Sequence, residues 1–417
     1  MTETTAGPRL RLADDVRRRV FGLDAPSRAP ERIGVEVELI PVREGDGTPL
    51  PLEDGRGPDL LTLLRDLGAP GREPERSPGT GAPCVPVSGG GAWSLEPGGQ
   101  LEYSSTVGRS VDEALDEVAR AVEALRGVGR VRGIELVTRG IDPVTPEERA
   151  RLAVASGRYL RLARHLDRKG SAGRRMMLQT AAVHVNLDLG SRPLLRWRVA
   201  NGLVPHLIAL FANSSRYGGA ETGYRSYRAR QWQLLDRSRS GVFVPGDPVE
   251  DYLAFALDAE AILLGSPAEP PRPFREWLGA RDVGEEAWRA HLSTLFPEVR
   301  PRGYLEVRSV DALPPRWYAA PVVFLAGLLL DDGALEDARE LVCTGEPPDL
   351  EGAARQGVGD PERARRALEL FDLALTGARR LGPEVIGEAA LETARTFRDR
   401  YTARGRDPAS DPEAAGS

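Results

Sequence analysis

The sequence predicts an α+β protein in which a sheet is backed by helices and the last third of the chain is helical. Strand patterns come early in the 417 residues, and most are separated by segments of helical periodicity. Beyond Pro315 the pattern is helical throughout, which favours strands and helices in separate layers. We expect one domain over residues 1–403 and a disordered tail over 404–417, because the tail is small, polar and bears Pro and Gly.

Four segments alternate apolar and polar residues with the period of a β-strand, and all four carry carboxylates on the polar side. They are Ile33–Ile40, Ser94–Tyr103, Val183–Leu189 and Tyr304–Ser309. In the second segment, Pro97-Gly98-Gly99 indicates a turn or bulge between Glu96 and Glu102. A further strand is expected over Gly133–Arg139.

Helical periodicity lies between and after these strands. The expected helices are Leu10–Phe21, Asp59–Leu67, Val111–Arg126, Pro146 to His165, Leu194–Phe211, Glu250–Leu264, Trp317–Leu330, Leu335–Val342, Pro361–Leu375 and Glu384–Tyr401. Ser110 and Glu113 form a capping box that opens the third helix, and Gly127 is expected to end it. Pro205 should kink or break the helix that contains it.

Residues 71–91 are dense in Pro, Gly and Ser. Such a composition predicts no regular element. The segment is either a plain connection or a flap over a site, and the sequence leaves both open.

The polar faces of the four strands gather acidic residues, because side chains two apart on a strand share a face. The residues that share a face are Glu36 with Glu38, His184 with Asn186 and Asp188, and Glu306 with Tyr304 and Arg308. Each face has a simple alternative as the solvated side of an amphipathic strand. If the faces converge, their repulsion favours bound divalent cations such as Mg²⁺ or Mn²⁺, which oxygen ligands select.

Two members of these faces have a structural alternative. His184, between two valines, is either a buried histidine with a satisfied hydrogen bond or a metal ligand. Glu306 and Arg308 either form a structural ion pair across the face or belong to a binding site.

The charge pattern excludes several functions. A net charge of −6 gives no electrostatic reason to expect nucleic acid or an anionic membrane as a partner. Lys169 is the only lysine and lies outside any Gly-Lys-Ser/Thr motif, which excludes a P-loop. Phosphate would then be held by metal, backbone N–H groups or arginine. Arg225, Arg228 and Arg230 form either a solvent-facing basic loop or a bidentate grip on carboxylate or phosphate.

The two cysteines, Cys84 and Cys343, lie far apart and suggest free thiols without a zinc site. The N-terminus lacks the features of a secretory signal. The longest apolar run, Ala319 to Leu330, is interrupted and shorter than the roughly 20 residues that cross a bilayer. We therefore expect a cytoplasmic protein without a membrane partner.

An ordered set of motifs resembles the glutamate-cysteine ligase family, in the plant and bacterial branch that includes the ergothioneine-pathway ligase. The motifs are Gly34–Glu38, Ser94–Glu102, Val185–Asp188, Ala209–Ser214, and His291–Arg300 together with Tyr304–Arg308. The resemblance spans roughly Ile33 to Leu330, and its last block is the most specific.

The resemblance implies an ATP-dependent ligase of the glutamine-synthetase-like superfamily. In that fold a curved, mainly antiparallel sheet forms an active-site funnel that holds ATP, metal ions and glutamate. By motif position, the residues that resemble magnesium ligands are Glu36, Glu38, Glu96, Glu102 and Glu306. His184 falls where some branches place a metal-associated histidine and others a glutamine. Arg228 and Arg308 resemble arginines that face the glutamate and the transferred phosphate, and Asn186 and Tyr304 are expected to contact substrate beside them.

The implied substrates are L-glutamate, L-cysteine and ATP, with Mg²⁺ or Mn²⁺ as cofactor. ATP would phosphorylate the glutamate side chain, and the cysteine amine would displace the phosphate to give γ-glutamylcysteine for glutathione or ergothioneine synthesis. One alternative is a ligase of the same fold with a different amine acceptor. Another is a metal-binding relative that has lost catalysis.

Overall fold

The computed structural model describes residues 8–24, 31–244, 246–267, 269–280 and 283–411. The strands in this part of the chain are β1 Ile33–Arg43, β2 Glu75–Arg76, β3 Pro83–Pro86, β4 Ala92–Leu95, β5 Leu101–Ser104, β6 Ile134–Val137, β7 Ala182–Asp188, β8 Arg216–Tyr217, β9 Ala220–Glu221, β10 Ser240–Gly241, β11 Phe296–Pro297, β12 Val299–Pro301 and β13 Tyr304–Asp311.

The helices are α1 Pro8–Asp15, α2 Leu60–Leu67, α3 Val111–Arg132, α4 Gly157–Lys169, α5 Ser171–Gln179, α6 Pro193–Leu210, α7 Tyr227–Gln233, α8 Pro248–Asp258, α9 Glu285–Leu292, α10 Ala319–Leu329, α11 Asp332–Val342, α12 Leu350–Gln356, α13 Pro361–Leu381 and α14 Glu388–Arg400. A π-helical turn, Val16–Val20, continues α1. The strand-rich first part and the helical last part confirm the predicted α+β class.

The main sheet is antiparallel and open. Its strands follow the order β12-β13-β7-β1-β5-β4-β3-β2, and β6 pairs with the second half of β1. The four predicted strand segments are β1, β4 with β5, β7 and β13, so the four acidic segments are gathered in one sheet. A β-bulge interrupts the pairing of β13 with β7 between Val307 and Val310.

The face of the sheet opposite the carboxylates is apolar. Val35 and Val37 of β1, Val183 and Val185 of β7 and Val307 of β13 are buried. Helix α3 packs on β1, α6 on β13 and α10 on β7. Each such valine contributes roughly 1.5–3 kcal/mol when it leaves water, so burial holds the strands in this register.

The C-terminal helices pack closely on one another. Every residue of α10 is buried, and Gly327 lies directly against α13. A Cβ atom on Gly327 would lie 2.1 Å from the carbonyl oxygen of Ala374, and one on Gly377 would lie 2.1 Å from that of Gly327. The two glycines therefore permit a helix crossing that any side chain would separate.

No single helix among the described residues is long and apolar enough to cross a membrane. One pair, Pro315–Leu329 with Asp332–Val342, meets the length and composition criteria only jointly, and it is bent by 95°.

Several predicted helix boundaries were wrong, among them the start at Pro146 of a helix that begins at Gly157 as α4. Helix α3 runs past Gly127 to Arg132, and Gly133 ends it in the left-handed conformation (φ 67°). Gly129 is needed inside that helix, because a Cβ there would lie 3.1 Å from the carbonyl oxygen of Ile134 in β6. The alternative of a break at Pro205 does not occur, because α6 runs through Pro205 as one helix with buried residues on both sides.

Two segments predicted to lack structure are partly ordered. Within residues 71–91, β2 and β3 extend the sheet because β4 offers a free edge for pairing. Residues 404–411 contain a short 3₁₀ turn, Pro408–Ser410, and Asp407 is buried against Arg225. These eight residues contradict the predicted disordered tail, because an arginine distant in sequence pairs with Asp407; residues 412–417 lie outside the described part.

Candidate active site

A cavity of about 800 Å³ lies over the polar face of the main sheet. Eight of the ten predicted site residues line it: Glu36, Glu38, Glu96, Glu102, His184, Arg228, Tyr304 and Arg308. The other two, Glu306 and Asn186, contact residues that line it. Strands distant in sequence thus bring the predicted residues to one place.

Strand register arranges these side chains in three rows across the sheet. The rows are Arg300, Glu306, Asn186 and Gly34; then His184, Glu36 and Ser104; then Glu38, Glu102 and Ser94. Directly opposite residues of antiparallel strands have Cβ atoms about 4.5–5.5 Å apart, so charged neighbours in a row interact strongly.

We call the second and third rows, which contain Glu36, Glu38 and Glu102, the acidic rows. Glu36 has the most hydrogen bonds of these carboxylates. His184 Nδ1 lies 3.0 Å from its Oε2, and Asn186 Nδ2 donates to its Oε1 at 3.0 Å. Burial alone would raise the pKa of Glu36, but the contact with His184 and the charge of Arg308 bring that pKa below its usual value. Both sequence interpretations of His184 are therefore compatible with its position, since it is buried, bonded and beside two carboxylates.

Glu96 and Glu102 have the opposite electrostatics. Burial, followed by repulsion from Glu38, raises the pKa of Glu96 to about 7. Burial, followed by repulsion from Glu36 and Glu96, raises the pKa of Glu102 well above its usual value. Within the described residues neither carboxylate has a salt bridge. In this half of the cavity, burial and mutual repulsion therefore oppose the ionised forms of the two carboxylates, and a bound cation would favour them.

The donor atoms in this half fit a divalent cation. Two sets of possible ligand atoms lie within 4.8 Å of one another, and His184 belongs to both; they are Glu36, His184 and Glu306, and Glu38, Glu102 and His184. The buried Oδ1 of Asn186 also has no hydrogen-bond partner within the described residues. Carboxylate and amide oxygens are the ligands of hard cations. Glu96 belongs to neither set.

Glu306 is fully buried and surrounded by arginines. Arg300 donates to both of its carboxylate oxygens from Nη2 at 2.6 and 2.8 Å, Arg302 donates at 3.1 Å, and Arg308 also donates to it. Burial would raise its pKa, but these three charges hold that pKa well below the usual value. The ion pair predicted for Glu306 and Arg308 is present, and it is part of a larger cluster.

Arg308 and Arg228 lie side by side at the cavity wall. Arg308 falls in the β-bulge of β13, a feature that redirects side chains near binding sites. Arg228 Nη2 donates to the carbonyl oxygen of Arg308 at 2.7 Å. Both guanidinium groups lie 5.7 Å from the ring centre of Trp232, a cation–π distance.

The interpretation of residues 225–230 as a solvent-facing basic loop is wrong. Arg228 is 2% exposed in the first turn of α7. Arg225 pairs with Asp407, and Arg230 Nη1 lies 2.7 Å from Glu351 Oε2. Only Arg228 of the three lines the cavity.

The sequence did not identify several residues of the wall. They include Arg158, Met176, Met177, Trp232, Arg300, Arg302 and, from the Pro/Gly/Ser-rich segment, Ser77, Gly79 and Thr80. Arg300 had a detectable signal, because a turn at Gly303 (φ 78°) implies a hairpin that places Arg300 opposite Glu306. Arg158, at the start of α4, had none. The placement of Ser77 and Thr80 at the cavity matches the flap interpretation of their segment.

The single lysine and the two cysteines lie away from the cavity. Lys169 Nζ is 3.3 Å from Glu260, in a separate cluster with His165 and Asp236. Cys84 and Cys343 are free thiols, as predicted. None of these residues lines the cavity.

Comparison with known proteins identifies the family of this chain. Residues 32–413 match the model of glutamate-cysteine ligase family 2. The chain is 36% identical over 390 residues to the glutamate–cysteine ligase EgtA of Mycolicibacterium smegmatis, with 86% of this chain and 88% of the relative covered. It is 31% identical over 330 residues to the chloroplastic glutamate–cysteine ligase of Brassica juncea, with 73% and 64% covered.

A solved structure supports the fold. The crystal structure of a glutamate–cysteine ligase from Francisella tularensis in complex with AMP superimposes with a TM-score of 0.50 at 15% identity, covering 92% of this chain and 84% of that one. The predicted family and the antiparallel sheet architecture are thus confirmed. This chain belongs to glutamate-cysteine ligase family 2.

Proposed function

We propose that this protein uses ATP to join the γ-carboxylate of L-glutamate to the α-amine of L-cysteine. The observation that carries the proposal is the composition of one cavity. It contains carboxylates that form no salt bridge within the described residues, and it also contains two adjacent arginines. The relatives named glutamate–cysteine ligases match most of this chain and agree with that chemistry.

The acidic rows are the part of the cavity suited to hold divalent cations. Glu36, Glu38, Glu102 and His184 would hold them, with Glu306 and Glu96 beside them. A bound Mg²⁺, our choice because carboxylates and ATP phosphates are both hard oxygen ligands, would supply positive charge to the phosphate oxygens. The carboxylates of this part of the cavity repel one another when they are ionised. A bound cation would remove that repulsion, so the repulsion favours cation binding.

The arginines complete the positive side of the cavity. Glu306 and the face of Trp232 hold the Arg308 side chain, while its buried Nε has no hydrogen-bond partner in the described chain. We assign Arg308 to the transferred phosphoryl group and Arg228 to a carboxylate of glutamate. Planar guanidinium groups bind both kinds of anion bidentately, so these residues orient the reacting atoms.

The reaction then has two steps. An oxygen of the glutamate side chain takes the γ-phosphoryl group and ADP leaves, which gives γ-glutamyl phosphate. The cysteine amine attacks the acyl carbon, the new C–N bond forms, the C–O bond to phosphate breaks, and the amine loses a proton. Cationic groups fixed before the reaction stabilise the charge that develops on the phosphoryl oxygens.

The cytoplasm remains our predicted location.

A phosphate-release assay tests the proposal. Purified protein is incubated with ATP, Mg²⁺ and glutamate, and cysteine or another amine is added, with each component omitted in turn. We expect turnover that requires glutamate and cysteine together, and a γ-glutamylcysteine product by mass spectrometry. Turnover with a different amine only would identify the other carboxylate–amine ligase. Absence of glutamate-dependent turnover with every amine would refute the proposal.

A further inference from the structure

Another buried carboxylate, Asp311, lies outside the cavity wall at the end of β13 and is 1% exposed. It accepts three hydrogen bonds: from the backbone N–H of Asn213 at 2.8 Å, from Ser214 Oγ at 2.6 Å and from Ser226 Oγ at 2.8 Å. The backbone encloses it tightly, because a Cβ on Gly140 would lie 2.5 Å from its Cγ. Asp311 therefore has little freedom to move.

The two serines connect Asp311 to the start of α7. Ser226 is the N-cap of that helix, and its Oγ accepts from the N–H of Ala229 at 3.1 Å. Ser214 Oγ accepts from the N–H of Arg228 at 3.1 Å. Each hydroxyl thus donates to Asp311 and accepts from the first turn of α7, where Arg228 lies.

Asp311 also acts on the Arg228 side chain directly. Its Oδ1 lies 3.9 Å from Arg228 Nη1, and both side chains are almost completely buried. A buried ion pair of this kind costs several kcal/mol of desolvation per charge, so an apolar pair would hold the fold equally well. An ion pair differs from an apolar pair in that it fixes the direction of the guanidinium group. Here it orients Arg228, which lines the cavity.

We propose that Asp311 is a positioning residue for substrate binding, which acts through Ser214 and Ser226 to hold Arg228 toward the carboxylate of glutamate. The inference rests on the proposed function, because it takes glutamate as the anion that Arg228 binds. It also gives a role to the end of the Ala209–Ser214 motif, which the acidic faces do not explain.

A positioning role predicts a selective kinetic effect. Ser226→Ala and Ser214→Ala should each raise the KM for glutamate about tenfold, with kcat and the KM for ATP changed less than about twofold. Asp311→Asn should lower kcat/KM for glutamate about 100-fold. Ser226→Thr keeps the hydroxyl and should restore the KM to within about twofold of the original value.

The matched control is Ser110→Ala, which removes an equivalent cap from α3, where Ser110 Oγ accepts from Glu113 N–H at 3.1 Å. Helix α3 contributes no residue to the cavity wall, so this variant should lose stability without a change in KM. If Asp311→Asn does not fold, the KM values of the two serine-to-alanine variants test the positioning role.

Two results would overturn the inference. One is a KM for glutamate that stays within twofold in both serine variants; the other is a parallel rise in the KM values for glutamate and ATP, which indicates general disruption. The unaltered protein is assayed first. If it shows no glutamate-dependent turnover, the proposed function has failed, and the inference falls with it for that separate reason.

Discussion

Glu102 and Glu306 are both carboxylates on the cavity face of one sheet, but their surroundings are opposite. Glu306 accepts hydrogen bonds from Arg300, Arg302 and Arg308, which lower its pKa. Glu102 faces Glu38 across the strands, its one hydrogen bond from the described residues is a long contact of 3.4 Å from the Ser104 hydroxyl, and its pKa is raised. Among the described residues, the part of the wall around Glu306 carries its own counterions, and the part around Glu102 does not.

The different surroundings of Glu306 and Glu102 give the two parts of one site different effects on the stability of the fold. In the arginine cluster, three guanidinium groups that would act on phosphate share one buried carboxylate, Glu306, so removing that carboxylate would leave buried positive charge without a partner. In the acidic rows, the charges suited to cations destabilise the metal-free fold by mutual repulsion. The two parts should therefore respond to the same substitution with opposite changes in stability.

The largest effect is expected for Glu306→Gln. Loss of this carboxylate leaves three arginines without their buried partner, so the free energy of unfolding should fall by about 3 kcal/mol and turnover should be nearly abolished. Urea unfolding in the presence of a chelator and the phosphate-release assay measure the two effects. An unchanged unfolding free energy would show that the cluster does not stabilise the fold.

Glu102→Gln should give the opposite change in stability. Turnover is expected to fall about 100-fold, because a carboxylate suited to the cation is lost. The metal-free protein should unfold at higher urea concentration than the original, since glutamine avoids the cost of keeping this buried carboxylate either protonated or charged beside Glu36 and Glu96. The matched control is Glu123→Gln on the exposed side of α3, which should change neither quantity. Lower stability of the Glu102 variant would contradict the proposed difference between the two parts.

The pH dependence of cation binding tests the acidic rows without mutation. The pKa of Glu96 is about 7, above the usual 4.5, so between these values the folded protein binds more protons than the unfolded chain. Metal-free stability should accordingly fall as pH rises through this window. Because the ionised Glu96 carboxylate would attract a Mg²⁺ ion held beside it, the apparent Mg²⁺ affinity should rise by up to about tenfold from pH 6 to pH 8. Thermal-shift titrations with Mg²⁺ measure this, and Glu96→Gln should flatten the dependence.

The smallest effect is expected for His184→Gln. A glutamine amide can donate to Glu36 as the imidazole does at 3.0 Å, so turnover should fall less than about fivefold. His184→Leu removes the donor and should cost more, about 50-fold, because Glu36 loses a buried partner. Equal losses in the two variants would show that the imidazole itself is required.

Much of the site was predictable because its strands repeat a local pattern. Alternation at period two identified β1, β7 and β13 and showed that Glu36 and Glu38 share a face. Local composition was misleading where distant partners decide the outcome. Residues 83–86 form a strand because β4 lies beside them, and Asp407 is buried because Arg225 reaches it.

The strand faces, the acidic character of the cavity and, through the ordered motifs, the family all follow from the amino-acid sequence alone. These properties depend on neighbours within about ten residues or on the order of motifs. The folded arrangement was needed to show that Arg228 lies against Arg308, that Arg158 and Trp232 join the wall, and that Asp311 bonds to the N-cap serine of α7. Those contacts join side chains far apart in the chain, and the packing of the helices against the sheet sets their distances.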